Sequence, residues 1–194
     1  MGDARLGWWL FAGTLVLMGA ARIAELVWAK RLTARARTRG AAPQREPLFA
    51  AMVALHTLPF WLAPLEVWAL GRPFMPALFA AGAGALLGLA GLRLWTLRTL
   101  GAAWNVRIVA PPAVVSAGPY RWVRHPNYAI VIAELAVLPL LHSAWLTALT
   151  VSLANAAILA RRIPAEERLL SALPGYAAAM AAKPRFLPRL QKQS

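Results

Sequence analysis

Five apolar runs, separated by short polar stretches, organise this chain of 194 residues. They cover residues 7–29, 47–70, 73–100, 126–141 and 143–160. A bilayer core of about 30 Å needs roughly 20 helical residues to cross it. Inside that core a helix satisfies its own backbone groups, whereas an open strand does not. The first three runs are long enough to span. The fourth and fifth are shorter and read as a hairpin turning at His142 and Ser143, with one member tilted or partly interfacial. The pattern predicts an all-α, polytopic bundle of about five transmembrane helices. It forms one domain over residues 1–194: three N-terminal spans in residues 1–100, then a loop, a helical hairpin and a C-terminal helix in residues 101–194.

Composition supports the membrane reading. Apolar residues make up 60% and charged residues 14%, against about 25% charged in soluble domains. The net charge of +14 raises nucleic acid as a partner, but the runs between the charges are too long and too apolar for such a binder. No cysteine is present, which excludes disulfides, thiolate metal sites and a cysteine nucleophile. The basic residues follow spans one, three and five, all but Arg5, Arg22 and Arg72 falling on one side. The positive-inside rule then puts the N-terminus outside and the C-terminus in the cytoplasm, as an odd number of spans requires. The basic loops fit contact with anionic lipid headgroups.

Ionisable residues inside a span point to function unless they are paired. Arg22 and Glu25, about one helical turn apart, can neutralise each other. His56 reads as a hydrogen-bonded bundle histidine, since no second ligand stands three or four residues away, and no metal site is expected. Glu66 lies near the outer end of span two. Gly84 and Gly88 have the small-xxx-small spacing that lets helices approach closely. Gly82 and Gly84 lack the preceding strand that a dinucleotide-binding loop requires.

Polar residues are densest after span three. Trp104, Asn105 and Arg107 lead through Pro111 and Pro112 to Gly118-Pro119-Tyr120 and then Arg124-His125-Pro126-Asn127-Tyr128. Pro126 suits the first position of a helix. Arg124 and His125 then stand at a helix N-terminus, where unpaired amides favour an anion. Asn127 and Glu134 share one face of that helix, and Glu134 needs a partner such as Arg93 or a cationic ligand. A second cluster, Arg161 to Leu170, reads as a cytoplasmic helix begun by Pro164, with Glu166 and Glu167 in its first turn. Residues 176–186 read as an amphipathic segment on the membrane surface.

Gly118-Pro119-Tyr120, Arg124-His125-Pro126-Asn127-Tyr128 and Glu166-Glu167-x-x-Leu170, in this order across a hairpin, resemble the isoprenylcysteine carboxyl methyltransferase family. The resemblance extends over residues 104–187. It implies an integral membrane methyltransferase with a cytoplasmic pocket for S-adenosylmethionine (SAM). By that resemblance Gly118, Tyr120, His125, Pro126, Asn127, Tyr128, Glu166 and Glu167 are cofactor contacts. Arg22 to Glu25, Leu55-His56, Leu65-Glu66 and Leu138-Pro139-Leu140 resemble one bacterial branch, which implies an inner-membrane location. Members of that branch are often encoded beside type III polyketide synthases, and some methylate long-chain alkylpyrones. The implied acceptor is a lipophilic carboxylate or acidic hydroxyl entering from the bilayer. Arg107, Arg124 and Glu134 are the candidate catalytic residues, one arginine holding the acceptor oxygen or the cofactor carboxylate. Two alternatives remain at this stage: an NADPH-dependent sterol-type reductase, which has a similar Arg-His-Pro-Asn-Tyr stretch, and a non-enzymatic scaffold.

Overall fold

A computed structural model describes residues 2–40 and 46–188; Arg45, Arg189 and Lys192 of the basic loops fall outside them. The long helices are α1 (Gly2–Arg37), α2 (Phe49–Thr57), α3 (Pro59–Leu70), α4 (Pro76–Leu100), α5 (Pro126–Leu140) and α6 (Trp145–Ser171), with a short α7 (Tyr176–Met180). Four stretches are long and apolar enough to cross a membrane: Arg5–Arg37, Phe49–Leu70, Pro76–Ala103 and Trp145–Ser171. Helix α5, with 15 residues, is shorter, as its apolar run predicts. The protein is thus an all-helical, polytopic membrane bundle.

Proline placement shapes several of these helices. Pro59 has no N–H to give to Leu55, so the second span breaks into α2 and α3 around Leu58. Pro164 does not begin a new helix as its position suggested. It lies inside α6, which carries the transmembrane stretch and the Glu166–Glu167 segment as one rod. At the hairpin, Ser143 adopts a left-handed conformation with φ 57°, and the Ala144 amide donates back to the Pro139 carbonyl at 3.1 Å. The small-residue expectation also shifts. Gly84 and Gly88 face open space among the described residues, whereas Gly82 is seated against Leu141 and Val137.

Apolar packing joins the bundle at three levels. Phe11 and Leu15 of α1 meet Ala63, Val67, Leu86 and Leu138. Leu55, Val131, Leu135 and Val151 form a second cluster. Near the end of α1, Ala29 and Leu32 pack with Leu97 and Trp104. Outside, Trp9, Val16, Leu17, Ile23, Trp61, Leu87 and Leu153 are exposed. In lipid such a surface carries no hydrophobic penalty.

Two polar devices hold helices together where apolar packing cannot distinguish neighbours. The first is a four-membered ion cluster. Arg93 of α4 donates from Nε to Glu25 Oε1 at 2.6 Å and from Nη2 to Glu25 Oε2 at 2.9 Å. Its Nη1 reaches Glu134 Oε2 of α5 at 3.0 Å. Arg22 Nη1 lies 3.1 Å from Glu25 and 3.5 Å from Glu134. Two positive and two negative charges therefore cancel among α1, α4 and α5. The second device is a cap between helices. The Leu146 and Thr147 amides at the start of α6 donate to Glu66 of α3 at 3.1 and 2.7 Å, and Thr147 Oγ1 donates to the same carboxylate. Arg72 Nε completes its shell at 2.9 Å.

Both devices predict measurable losses. Glu66→Ala leaves two amides and a guanidinium without their acceptor, and should cost about 3 kcal/mol of stability by detergent unfolding. Unchanged stability with unchanged exchange of the Leu146 and Thr147 amides would contradict this role. Arg93→Met leaves two carboxylates to share Arg22 and should cost about 3–5 kcal/mol. Adding Glu25→Leu restores charge balance, so the double variant should unfold at a higher temperature than Arg93→Met alone.

Candidate functional site

A cavity of about 410 Å³ opens where α1, α2, α5 and α6 meet the loop after α4. This volume lies in the range typical of small-molecule sites. The loop over its mouth is fixed by hydrogen bonds to the helices. Asn105 Nδ2 donates to Thr33 Oγ1 of α1 at 2.8 Å, and the Ile108 amide donates to Glu46 Oε1 at 2.6 Å. Trp104 stacks on Trp28 at 4.7 Å. Arg107 lies 4.0 Å over the Phe49 ring and lines the cavity. Gly118 has φ 53°, and a Cβ there would collide with Thr99. Glycine thus lets the 3-10 turn Gly118–Arg121 lie against α4. That turn delivers Tyr120 to the cavity wall. Burial first, and then the charge of Glu166, push the Tyr120 phenol well above its ordinary range. It stays neutral near pH 7.

The two sequence clusters converge through the pairing of α5 with α6. Pro126 opens α5 at its first position, and His125 is the cap residue. Tyr128 donates its hydroxyl to Glu166 Oε2 and receives Arg162 Nε at 2.9 Å. Arg162 also bridges to Glu46 and to the Val106 carbonyl. One residue on, Glu167 accepts from His125 Nε2 at 3.0 Å, from Arg124 Nη1 at 3.1 Å and from Arg185 Nη2 at 2.7 Å. The adjacent carboxylates therefore serve different networks. Glu166 faces the cavity, while Glu167 ties the Arg124-His125 segment to the chain's end.

That end is a strap rather than an amphipathic helix over the whole of 176–186. Helix α7 stops at Met180. The following residues double back, so the Arg124 amide donates to Pro184 O and the His125 amide to Arg185 O, both at 2.9 Å. Lys183 Nζ donates to Tyr120 O at 2.8 Å. These two amides are therefore occupied by protein carbonyls instead of facing an anion, and the anion-binding potential passes to the Arg124 side chain.

Of the residues singled out in the sequence, Arg107, Tyr120, Arg124, His125, Asn127, Tyr128 and Glu166 line the cavity. Gly118, Pro126 and Glu167 shape its frame from outside. Glu134 reaches it through Arg22 and Arg93, which do line it. Glu46, Asn155 and Arg162 went unrecognised. Glu46 carried a signal, being the sole acid between Glu25 and Glu66. Asn155 sits mid-span on α6 without a nearby ionisable residue to draw attention to it. Arg162 was read with its neighbours as topological charge. Among the described residues no cluster of three metal-ligating side chains occurs.

Several polar side-chain atoms of the cavity-lining residues have no hydrogen-bond partner among the described residues. Arg124 Nε, Asn127 Oδ1 and Asn155 Oδ1 are buried without one among the described residues, and all three residues line the cavity. Such atoms are costly unless something meets them. They suit a ligand that carries a carboxylate for Arg124 and N–H or O–H donors for the asparagine oxygens.

Comparison with known proteins agrees with this geometry. Residues 82–172 match the model of the isoprenylcysteine carboxyl methyltransferase (ICMT) family. That stretch contains most of α4, the whole loop after it, α5 and all of α6 with its Glu pair. The uncharacterized protein YpbQ of Bacillus subtilis is 34% identical over 165 residues, covering 84% of this chain and 95% of that protein. The likeness therefore extends well beyond residues 82–172. The chain belongs to the isoprenylcysteine carboxyl methyltransferase family of membrane methyltransferases.

Proposed function

We propose that this protein is a SAM-dependent O-methyltransferase for a lipophilic carboxylate or acidic hydroxyl, of isoprenylcysteine or long-chain alkylpyrone type. The observation that carries the reading is the set of unpartnered polar atoms, Arg124 Nε, Asn127 Oδ1 and Asn155 Oδ1, in a cavity that also has an apolar stretch of wall. The polar end fits SAM. Arg124 would hold its carboxylate, Asn127 and Glu166 its ammonium or ribose hydroxyls, and Tyr120, Leu169 and Leu170 its adenine. When bound, SAM supplies an electrophilic methyl group on a sulfonium.

The chain's own residues position and enclose. Gly19, Ile23 and Leu26 of α1 face Phe60 and Trp61 across the apolar wall. Ile23 and Trp61 are also exposed on the outer surface, so this wall offers a passage to lipid for an alkyl or prenyl chain. Glu167, through Arg124 and His125, fixes the polar end, and Arg107 guards the mouth of the loop. Excluding water favours a step in which opposite charges are consumed, and close placement of the reactants contributes much of the remaining rate. In this reading the N-terminus lies outside an inner membrane and the basic end faces the cytoplasm. A type III polyketide synthase is a fitting source of an alkylpyrone acceptor.

Calorimetry on detergent-purified protein tests the proposal. SAM should bind in the micromolar range, and Glu166→Gln should weaken it about tenfold, the loss of roughly one charge-assisted hydrogen bond. NADPH should give no heat. Binding of NADPH without SAM, or of neither by a folded sample, would overturn the reading.

A further inference from the structure

The membrane-side wall of the cavity carries a titratable group that the methyl-donor site does not use. Met52, Val53, His56 and Thr57 of α2 line the cavity, and across Pro59 the same wall continues with Phe60 and Trp61. His56 Nδ1 lies 2.7 Å from the Met52 carbonyl oxygen. A carbonyl can only accept, so Nδ1 holds the hydrogen, and in the neutral ring Nε2 is left as the acceptor. Nε2 makes no hydrogen bond among the described residues. The local backbone thus fixes the tautomer that leaves a basic lone pair on Nε2 of this cavity-lining residue.

The surroundings give that lone pair a task. Three arginines line the same cavity as the ring: Arg22 from α1, Arg93 from α4 and Arg162 from α6. Glu25 and Glu134 stand with Arg22 and Arg93, while Glu46 and Tyr128 stand with Arg162. Arg93 is saturated by carboxylates, but Arg22 Nε is buried without a partner among the described residues. An acid that arrives through hydrocarbon arrives neutral, because its ionised form is excluded there. It must shed a proton before its oxygen becomes a good nucleophile. The arginines can hold the resulting anion, but they cannot take the proton.

We propose that His56 Nε2 is the general base that deprotonates a neutral, lipid-delivered methyl acceptor, and that Arg22 Nε holds the oxyanion formed. The inference rests on the methyltransferase reading above. The acceptor O–H bond breaks, its electron pair remains on oxygen, and the proton bonds to Nε2. That oxygen then forms the O–CH3 bond while the S–CH3 pair returns to sulfur, leaving a neutral thioether. The imidazolium afterwards gives its proton to water.

The test uses a long-chain alkyl nitrophenol, whose visible band reports its ionisation, at one pH unit below its midpoint in detergent. Bound to the wild-type protein it should be mainly phenolate. Calorimetry in buffers of different ionisation enthalpy should find no proton released, because His56 retains it. His56→Asn keeps a donor near the Met52 carbonyl and removes the base. It should lower the bound phenolate-to-phenol ratio at least tenfold, about one pH unit of apparent shift. An unchanged phenolate band in this variant, full proton release by the wild type, or failure of the wild type to take up the probe would each overturn the proposal.

SAM binding, measured on the same samples, separates the two readings. A wild-type protein that does not bind SAM sinks the methyltransferase reading itself. Normal SAM binding with unaltered probe ionisation sinks the base alone. Should His56→Asn lose SAM binding, His56→Gln serves as the second variant. Loss of SAM binding in both would assign the ring a structural role and contradict the proposal.

Discussion

A charge within hydrocarbon must be cancelled by protein, and the arrangement of helices here follows from that requirement. Arg22, Glu25, Arg93 and Glu134 lie on three different helices and balance one another at contacts between 2.6 and 3.5 Å. Apolar side chains cannot specify which helix neighbours which when lipid is as apolar as the core. The ion cluster can, because any other register strands a charge. It binds α1 to α4 and α5 beside the cavity, so the same contacts that choose the fold also form part of the site's wall.

Seven acids are present, and all six glutamates serve as anchors. Glu66 caps α6 from α3, and Glu46 ties the loop after α4 to Arg162. Glu166 takes the Tyr128 hydroxyl, while Glu167 gathers Arg124, His125 and Arg185. The excess arginines thereby divide into those locked by carboxylates and those with donor capacity to spare. Arg22 and Arg124 belong to both groups: each has one nitrogen in an ion pair and its Nε unpartnered among the described residues. Both line the same cavity.

Much of this was legible from residue order. The all-helical polytopic architecture, the hairpin at His142-Ser143 and the Arg22–Glu25 pairing follow from apolar runs and from the cost of intramembrane charge. The convergence of Arg124–Tyr128 with Glu166–Glu167 was legible through family resemblance rather than spacing. What stayed hidden was mostly long-range. Nothing local in Glu46 points to Arg162, and nothing local in Glu66 points to the Leu146 amide. The occupation of the Arg124 and His125 amides depends on a chain reversal after Met180, which the basic tail composition disguised as a surface helix. Pro164 misled because a proline that starts a helix and one carried inside a helix look alike in a sequence window. The small-residue spacing of Gly84 and Gly88 misled similarly, since it marks a smooth helix face without naming the partner.

The central claim is that one cavity, polar at the Arg124 end and open to lipid at the α1–α3 side, brings a methyl donor and a lipophilic acceptor together. The most direct test is an experimental structure of the protein in lipid nanodiscs with S-adenosylhomocysteine, the demethylated donor. The account predicts ligand density in that cavity, with the carboxylate at Arg124, the polar groups at Asn127 and Glu166, and the sulfur directed toward the His56 wall. Density elsewhere on the protein, or a cavity closed by its own side chains at saturating ligand, would contradict it.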